Sequence, residues 1–238
     1  MSAMPKRRAL VVVSKCPVPG EVKTRLIARL GAVQAARVAS VCLENVLSVG
    51  RSTSADDHIL YIRSPHLAPD SVCALAAQTG WRIVEQTGLN LADVLANAFM
   101  DLSGTRSHHI LAVVGDIPSL TRRNLDWAYD QLDQGSDVVV GASPDGGFWS
   151  VGFRDRENAE VLSRVAMSTS DTRLELIQRC TDRGLSVTVG EDVPDVDVPE
   201  DLESVSALCP PDSGFSRLVA SLQDESHNEA GTSQLGRH

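Results

Sequence analysis

Along most of the chain, short apolar runs alternate with longer segments in which apolar residues recur every three or four positions. That rhythm predicts an α/β fold, a mostly parallel sheet with helices on both faces. Residues 8–14 (RALVVVS) read as the first strand. After a Pro/Gly loop, Leu26, Ile27, Leu30, Val33, Val38, Val41, Cys42, Val46 and Leu47 mark a long amphipathic helix with a break near Gly31. Strands follow at 58–63 (HILYIR) and 81–86 (WRIVEQ), with a short helix over 69–78 between them. Asn90 is placed to cap a helix carrying Leu91, Val94, Leu95, Ala98, Phe99 and Leu102. Residues 109–114 (HILAVV) form a fourth strand that runs into Gly115-Asp116-Ile117-Pro118. Thr121 opens a helix through Leu132, and 137–141 (DVVVG) is a fifth strand. The alternating segment 148–153 (FWSVGF) reads as a strand of different direction, which either covers the sheet or forms an interface in a homodimer. A helix near 171–183, a strand at 186–189 and a helix over 199–208 complete the pattern. From Pro210 the composition turns to Ser, Gly, Asp and Gln. The expected organisation is one domain over 1–209 and a flexible tail over 210–238, with a helical turn around 215–222.

Composition narrows the picture. A chain of 238 residues, 42% of them apolar, is long enough for one α/β domain with a substantial core. Aromatics are only 4%, so that core must rest on Val, Leu, Ile and Ala. The net charge of −9 argues against nonspecific binding to nucleic acid or anionic membrane, both of which need a basic surface. Any anionic ligand must therefore be held by local basic groups. Cys16, Cys42, Cys73, Cys180 and Cys209 are dispersed, without a CxxC pair or ligand spacing to His, and read as reduced thiols of a cytoplasmic protein. The basic start is followed by an apolar run over 9–13 only, too short for a signal-peptide core. No stretch reads as the ~20 apolar residues of a membrane span. His66, His108 and His109 lie on or beside apolar segments and read as structural or surface side chains.

Four segments carry chemistry. In an open parallel sheet, ligands sit beyond the carboxyl ends of the strands, so the loop after the first strand is a natural site. It is not a Walker loop, because GxxxxGK[ST] is absent. Instead Pro17, Pro19 and Gly20 shape it, and Lys15, Lys23 and Arg25 cluster beside a helix N-terminus. Such a set suits a triphosphate or pyrophosphate, whose charge must be neutralised from several directions. The competing explanation is a solvated basic loop. Asp116, just past the fourth strand, can coordinate Mg²⁺ bridging nucleotide phosphates, or simply cap a turn. Within Asp195-Val196-Asp197-Val198-Pro199, Asp197 is either a helix cap or a second metal ligand beside Asp116. Asp145-Gly146-Gly147 follows the fifth strand, where glycines let backbone approach a ligand closely, though a turn explains them equally well. Cys16 sits among cations, which predicts a lowered thiol pKa.

Taken in order, KCPVPGEVKTRL, GDIPSL, PDGGFWSVG and DVDVPEDL resemble the bacterial family known as radical-SAM/selenodomain-associated transferase 1. That family lies in the nucleotide-diphospho-sugar transferase superfamily, and the likeness runs from about residue 9 to residue 208. It implies a single glycosyltransferase-A-like (Rossmann-like) domain. It also implies that Lys15, Lys23 and Arg25 bind phosphates, that Asp116 and Asp197 hold a metal, and that Asp145, Gly146 and Gly147 face the acceptor or the nucleotide's sugar. Val13, Ser14 and Gly20 complete the nucleotide-binding set, and Ser143 joins the substrate-binding one. The loops around Ser143 and over 169–172 are expected to shape the acceptor pocket.

The departures from the family pattern carry information. The family usually shows GSDCPDL, whereas Ser119 stands here in place of the second Asp. A metal-dependent glycosyltransferase of this fold usually has a DxD, whereas Asp116-Ile117-Pro118 looks like the DxP of nucleotidyltransferases. Gln86-Thr87-Gly88-Leu89-Asn90 is similar to a segment of 2-phospholactate guanylyltransferase, which implies that Leu89 and Asn90 place the base; a helix cap with an apolar anchor is the alternative. The expected activity is nucleotidyl transfer dependent on Mg²⁺, with Mn²⁺ as the alternative ion. An NTP, guanylyl slightly favoured, is joined to a phosphorylated small molecule with release of pyrophosphate. A glycosyltransferase using an NDP-sugar and a non-catalytic nucleotide-binding module are the competing readings.

Overall fold

The structure, a computed structural model, describes residues 7–64, 70–101 and 109–235. Its strands are β1 (Arg8–Lys15), β2 (Asp57–Arg63), β3 (Arg82–Glu85), β4 (His109–Val114), β5 (Val138–Ala142), β6 (Phe148–Phe153) and β7 (Val187–Val189). They form one sheet in the order β3-β2-β1-β4-β6-β5-β7. β1 pairs in parallel with both β2 and β4, and β6 runs antiparallel between β4 and β5. The period of two divides each strand between two cores. Ala9, Val11 and Val13 face one helical layer, while Leu10 and Val12 face the other.

The first layer holds α3 (Leu91–Met100), a 3₁₀ segment Arg156–Arg164 and α5 (Thr172–Asp182). The second holds α1 (Ile27–Arg51), α2 (Asp70–Gln78) and α4 (Arg122–Asp133). Helix α1 breaks at Gly31 (φ 74°, ψ 161°), as its sequence suggests. Asn90 caps α3 by accepting from Asp93 N, and Thr121 with Asn124 forms a capping box on α4. The stretch Thr24–Arg51 meets the length and composition of a membrane span, contrary to the sequence expectation; here Val38, Cys42, Leu43, Val46 and Leu47 are buried against the protein core.

Two elements differ from expectation. The segment 148–153 is a strand of different direction, as expected, but neither a cover nor an interface: it lies inside the sheet, buried from Trp149 to Phe153. Polarity alternates within it, yet both faces are covered. The tail expected from residue 210 contains α7 (Gly214–Leu235), whose Phe215, Leu218 and Val219 are buried in a third cluster. That cluster joins Leu26, Val38 and Cys42 to α6 (Asp201–Ser206), so the first turns of α7 belong to the domain. The helix Pro69–Gln78, and Leu102, His66 and His108, fall wholly or partly outside the described residues.

Candidate active site

Between β1 and β4 the chain order reverses, because β1 connects outward to β2 on one side and pairs with β4 on the other. Such a switch point opens a crevice at the carboxyl ends of the strands. A cavity of about 530 Å³ lies there, within the range of small-molecule sites.

The loop after β1 supplies one wall. Gly20 takes a left-handed φ of 88° in a turn closed by Glu21 N donating to Val18 O. Lys23 is also left-handed (φ 45°, ψ 44°), a conformation costing about 1 kcal/mol for a residue with a Cβ. The neighbouring 3₁₀ turn Thr24–Leu26 holds it there, with Leu26 fully buried in the third cluster.

The β4 end supplies the facing wall. Gly115 lies so close to β1 that a Cβ would meet Ser14 Oγ at 2.8 Å and Leu43 Cδ1 at 3.1 Å. Asp116 follows at once. Asp197 arrives from far along the sequence, because the chain beyond β7 crosses the ends of the strands. Gly190 N donates to Val140 O, Val193 N to Ala142 O and Val196 N to Asp116 O. Asp201 then accepts from the backbone N–H of Asp197 (2.7 Å) and Val198 (2.8 Å), fixing the turn that presents Asp197.

These groups form one ionic network. Lys23 Nζ lies 2.7 Å from Asp116 Oδ2 and 3.9 Å from Asp197 Oδ1, with its side chain only 8% exposed. Arg25 pairs with Asp197. Burial alone would lower the pKa of Lys23, but the Asp116 carboxylate outweighs it and holds the ammonium above its ordinary value. Burial, followed by the charge of Asp116, pushes Asp195 up to about 6. Asp116 Oδ1 is buried without a hydrogen-bond partner. A carboxylate oxygen left so is costly unless a cation or donor completes it. With Asp197 beside it, the pair fits Mg²⁺ or Mn²⁺, hard ions that accept one or two carboxylates and fill the remaining positions with water and phosphate. Among the described residues no group of three or more His, Cys, Asp or Glu forms a closed metal site.

Of the residues singled out in the sequence, Val13, Ser14, Lys15, Lys23, Arg25, Leu89, Asn90, Asp116 and Asp197 line this cavity. Gly20 shapes the loop without lining it. Asn90 is engaged by Asp93 as a cap, while Leu89 stands 94% exposed at the cavity rim. Ser143, Asp145, Gly146 and Gly147 do not line it; they close the hairpin between β5 and β6. Asp145 Oδ1 accepts from Gly147 N at 2.8 Å. A Cβ on Gly146 (φ 88°) would lie 1.9 Å from Ser170 O, so this glycine admits the close approach of the Ser170 backbone. Arg173 ties the hairpin down by donating to Ser143 O at 2.9 Å and pairing with Asp192. Cys16 corrects its expectation: burial pushes its thiol up to about 11. His109 is buried and pairs with Asp133 at 2.9 Å, away from this cavity.

Sequence reasoning missed Arg63, Gln86 and Ser168, which also line the cavity. Arg63 ends a strand at the sheet's carboxyl edge, a position that could have marked it. Gln86 donates to Ser14 O (2.7 Å) and Tyr61 O (2.8 Å), locking the ends of β1 and β2 together.

Solved structures share this architecture. A provisionally assigned nucleotide-diphospho-sugar transferase from Desulfovibrio desulfuricans G20 is 20% identical, with 92% of this chain and 96% of that one covered and a TM-score of 0.78. CMP:2-keto-3-deoxy-manno-octonic acid synthetase complexed with CTP is 12% identical, with 85% and 98% covered and a TM-score of 0.54. The Mycobacterium tuberculosis H37Rv protein Rv0371c in complex with manganese is 18% identical, with 84% and 97% covered and a TM-score of 0.51. At these identities the likeness establishes the fold alone. No curated protein matches the sequence. Residues 46–169, which span β4, Asp116 and the β5–β6 hairpin, match the model of DUF2064, described as an uncharacterized protein conserved in bacteria, and the chain belongs to that family.

Proposed function

We propose that the protein is a nucleotidyltransferase that joins an NTP to a phosphorylated small molecule and releases pyrophosphate. The observation that carries this reading is the network at the switch point: Lys23 between Asp116 and Asp197, with Arg25 and Lys15 in the same cavity. Phosphoryl chemistry needs little covalent help from a protein, so fixed charges and positioning suffice. Lys15 and Arg25 hold the pyrophosphate end, and Lys23 faces the α-phosphate. Asp116 and Asp197 would hold Mg²⁺ or Mn²⁺, which when bound neutralises phosphate charge and polarises the phosphoryl oxygens. The acceptor phosphate is ionised at neutral pH, so the reading requires no general base. Support comes from the CTP carried by one structural neighbour and the manganese carried by another. Guanine is favoured among bases by the Gln86–Asn90 resemblance alone.

Glycosyl transfer from an NDP-sugar is the second reading, favoured by the provisional assignment of the Desulfovibrio neighbour. A screen of the four NTPs against sugar phosphates and phosphorylated acids, read by pyrophosphate release, separates the two. Release should require both substrates, stop on chelation and return with Mg²⁺ or Mn²⁺. Silence in every pairing, with NDP-sugar hydrolysed instead, would replace nucleotidyl by glycosyl transfer.

A further inference from the structure

The cavity is electrostatically divided. Lys23 and Arg25 are engaged by Asp116 and Asp197 on the β4 side. On the other side, Lys15 and Arg63 are register partners at the last paired position of β1 and β2. In paired strands such partners project from the same face, about 4.8 Å apart. That face is the one toward α3, because Lys15 continues the series Ala9, Val11, Val13 and Arg63 continues Ile59, Tyr61. Both are exposed side chains lining the cavity, and among the described residues neither makes an ion pair. Two adjacent like charges repel each other, and a shared anion relieves that repulsion. Gln86 holds the two strand ends in place through Ser14 O and Tyr61 O. The seat is therefore built on the sheet, not on a free loop.

We propose that Arg63, together with Lys15, binds the β- and γ-phosphates of the nucleotide, the half that leaves as pyrophosphate. The inference rests on the nucleotidyltransferase reading and adds a residue to its substrate site. Arg63 lies two strands away from Asp116, about 10 Å across the sheet at ordinary strand spacing. The phosphorus under attack belongs beside Asp116, Asp197 and Lys23, and the acceptor's phosphate must reach that same atom. Of the groups remote from the carboxylates, Leu89 and Asn90 are neutral and suit the base. The seat with two cations is therefore the one for the far end of the leaving group, whose near end Arg25 holds. A guanidinium suits it, because its fork offers paired N–H donors to phosphate oxygens and stays charged at any working pH.

The test is equilibrium binding, with Mg²⁺ present, of inorganic pyrophosphate, the four NTPs and the corresponding monophosphates to wild type, Arg63→Ala and Arg63→Lys. Loss of charge-assisted hydrogen bonds should weaken pyrophosphate and the bound NTP by about tenfold or more in Arg63→Ala. Monophosphate affinity should stay within about twofold, and Arg63→Lys should recover part of the loss. Equal weakening of monophosphate and triphosphate would overturn the assignment by moving Arg63 to the nucleoside side. Unchanged pyrophosphate binding in Arg63→Ala would overturn it while leaving the functional reading intact. A wild type that binds neither pyrophosphate nor any NTP would overturn both.

Discussion

Asp116 and Asp197 show how much a residue's role depends on what faces it. Each follows a turn-forming pattern in which a cap would be unremarkable. The fold instead sets Lys23 between them and leaves Asp116 Oδ1 buried and unpartnered. If they hold the metal on the phosphates, Asp116→Asn and Asp197→Asn should each cut pyrophosphate release ~100-fold or more. A wild-type rate in either variant would remove that residue from the metal site. Asp195 makes a separate prediction for the metal-free protein. Its carboxyl is pushed up to about 6 by burial and by Asp116, whereas an unfolded Asp titrates near 3.9. Between these values the folded state keeps a proton that the unfolded state releases, so stability falls as pH rises through that window. Asp195→Asn should therefore stabilise the protein at pH 7.5, on the order of 1–2 kcal/mol, and have little effect near pH 4. Thermal unfolding with chelator at the two pH values checks this; equal shifts at both would refute it. The charged residues of the first loop were legible because cations beyond a strand end are a strong signal. Cys16 was misread for a physical reason. In extended chain it points opposite to Lys15, into the apolar cluster that also holds Val72 and Trp81, so burial and not the nearby cations sets its pKa.

At the level of elements, caps and period were the reliable guides. Asn90 and Thr121 start their helices as expected, and the parallel strands lie where the apolar runs placed them. The 3₁₀ segment Arg156–Arg164 escaped notice because RENAEVLSR buries only Ala159, Val161 and Leu162 among charged neighbours. Of helix α7 only a turn around 215–222 was legible, because a low-hydropathy composition conceals a few well-placed apolar side chains. Phe215 is 1% exposed and packs with Leu26, Val38 and α6, the same cluster that anchors the Lys23 turn. Phe215→Ala should cost about 3 kcal/mol or more, read as a lower urea midpoint with an unchanged slope. A variant of wild-type stability would mean that α7 contributes nothing to the domain, restoring a boundary at residue 209.

For the whole molecule, the overall charge and the site have opposite characters. A chain of net charge −9 gathers Lys15, Lys23, Arg25 and Arg63 around one cavity at the switch point of its sheet. The sequence by itself determined most of the elements, the layer architecture and the clustering of cations in the loop after β1. Those follow from local periodicity, capping and the rule that α/β ligands sit at strand ends. It also identified both acidic positions, as caps or ligands on the residues alone and as metal ligands through the family resemblance. Tertiary structure alone decided that Asp197 meets Asp116, because the connecting segment crosses the strand ends through hydrogen bonds to Val140, Ala142 and Asp116 that no local pattern encodes. It alone set Arg63 beside Lys15, since register between β1 and β2 is chosen by burying two faces of the sheet at once. Local sequence specifies what each segment is; which side chains share a site is settled only when the strands are ordered and their registers fixed.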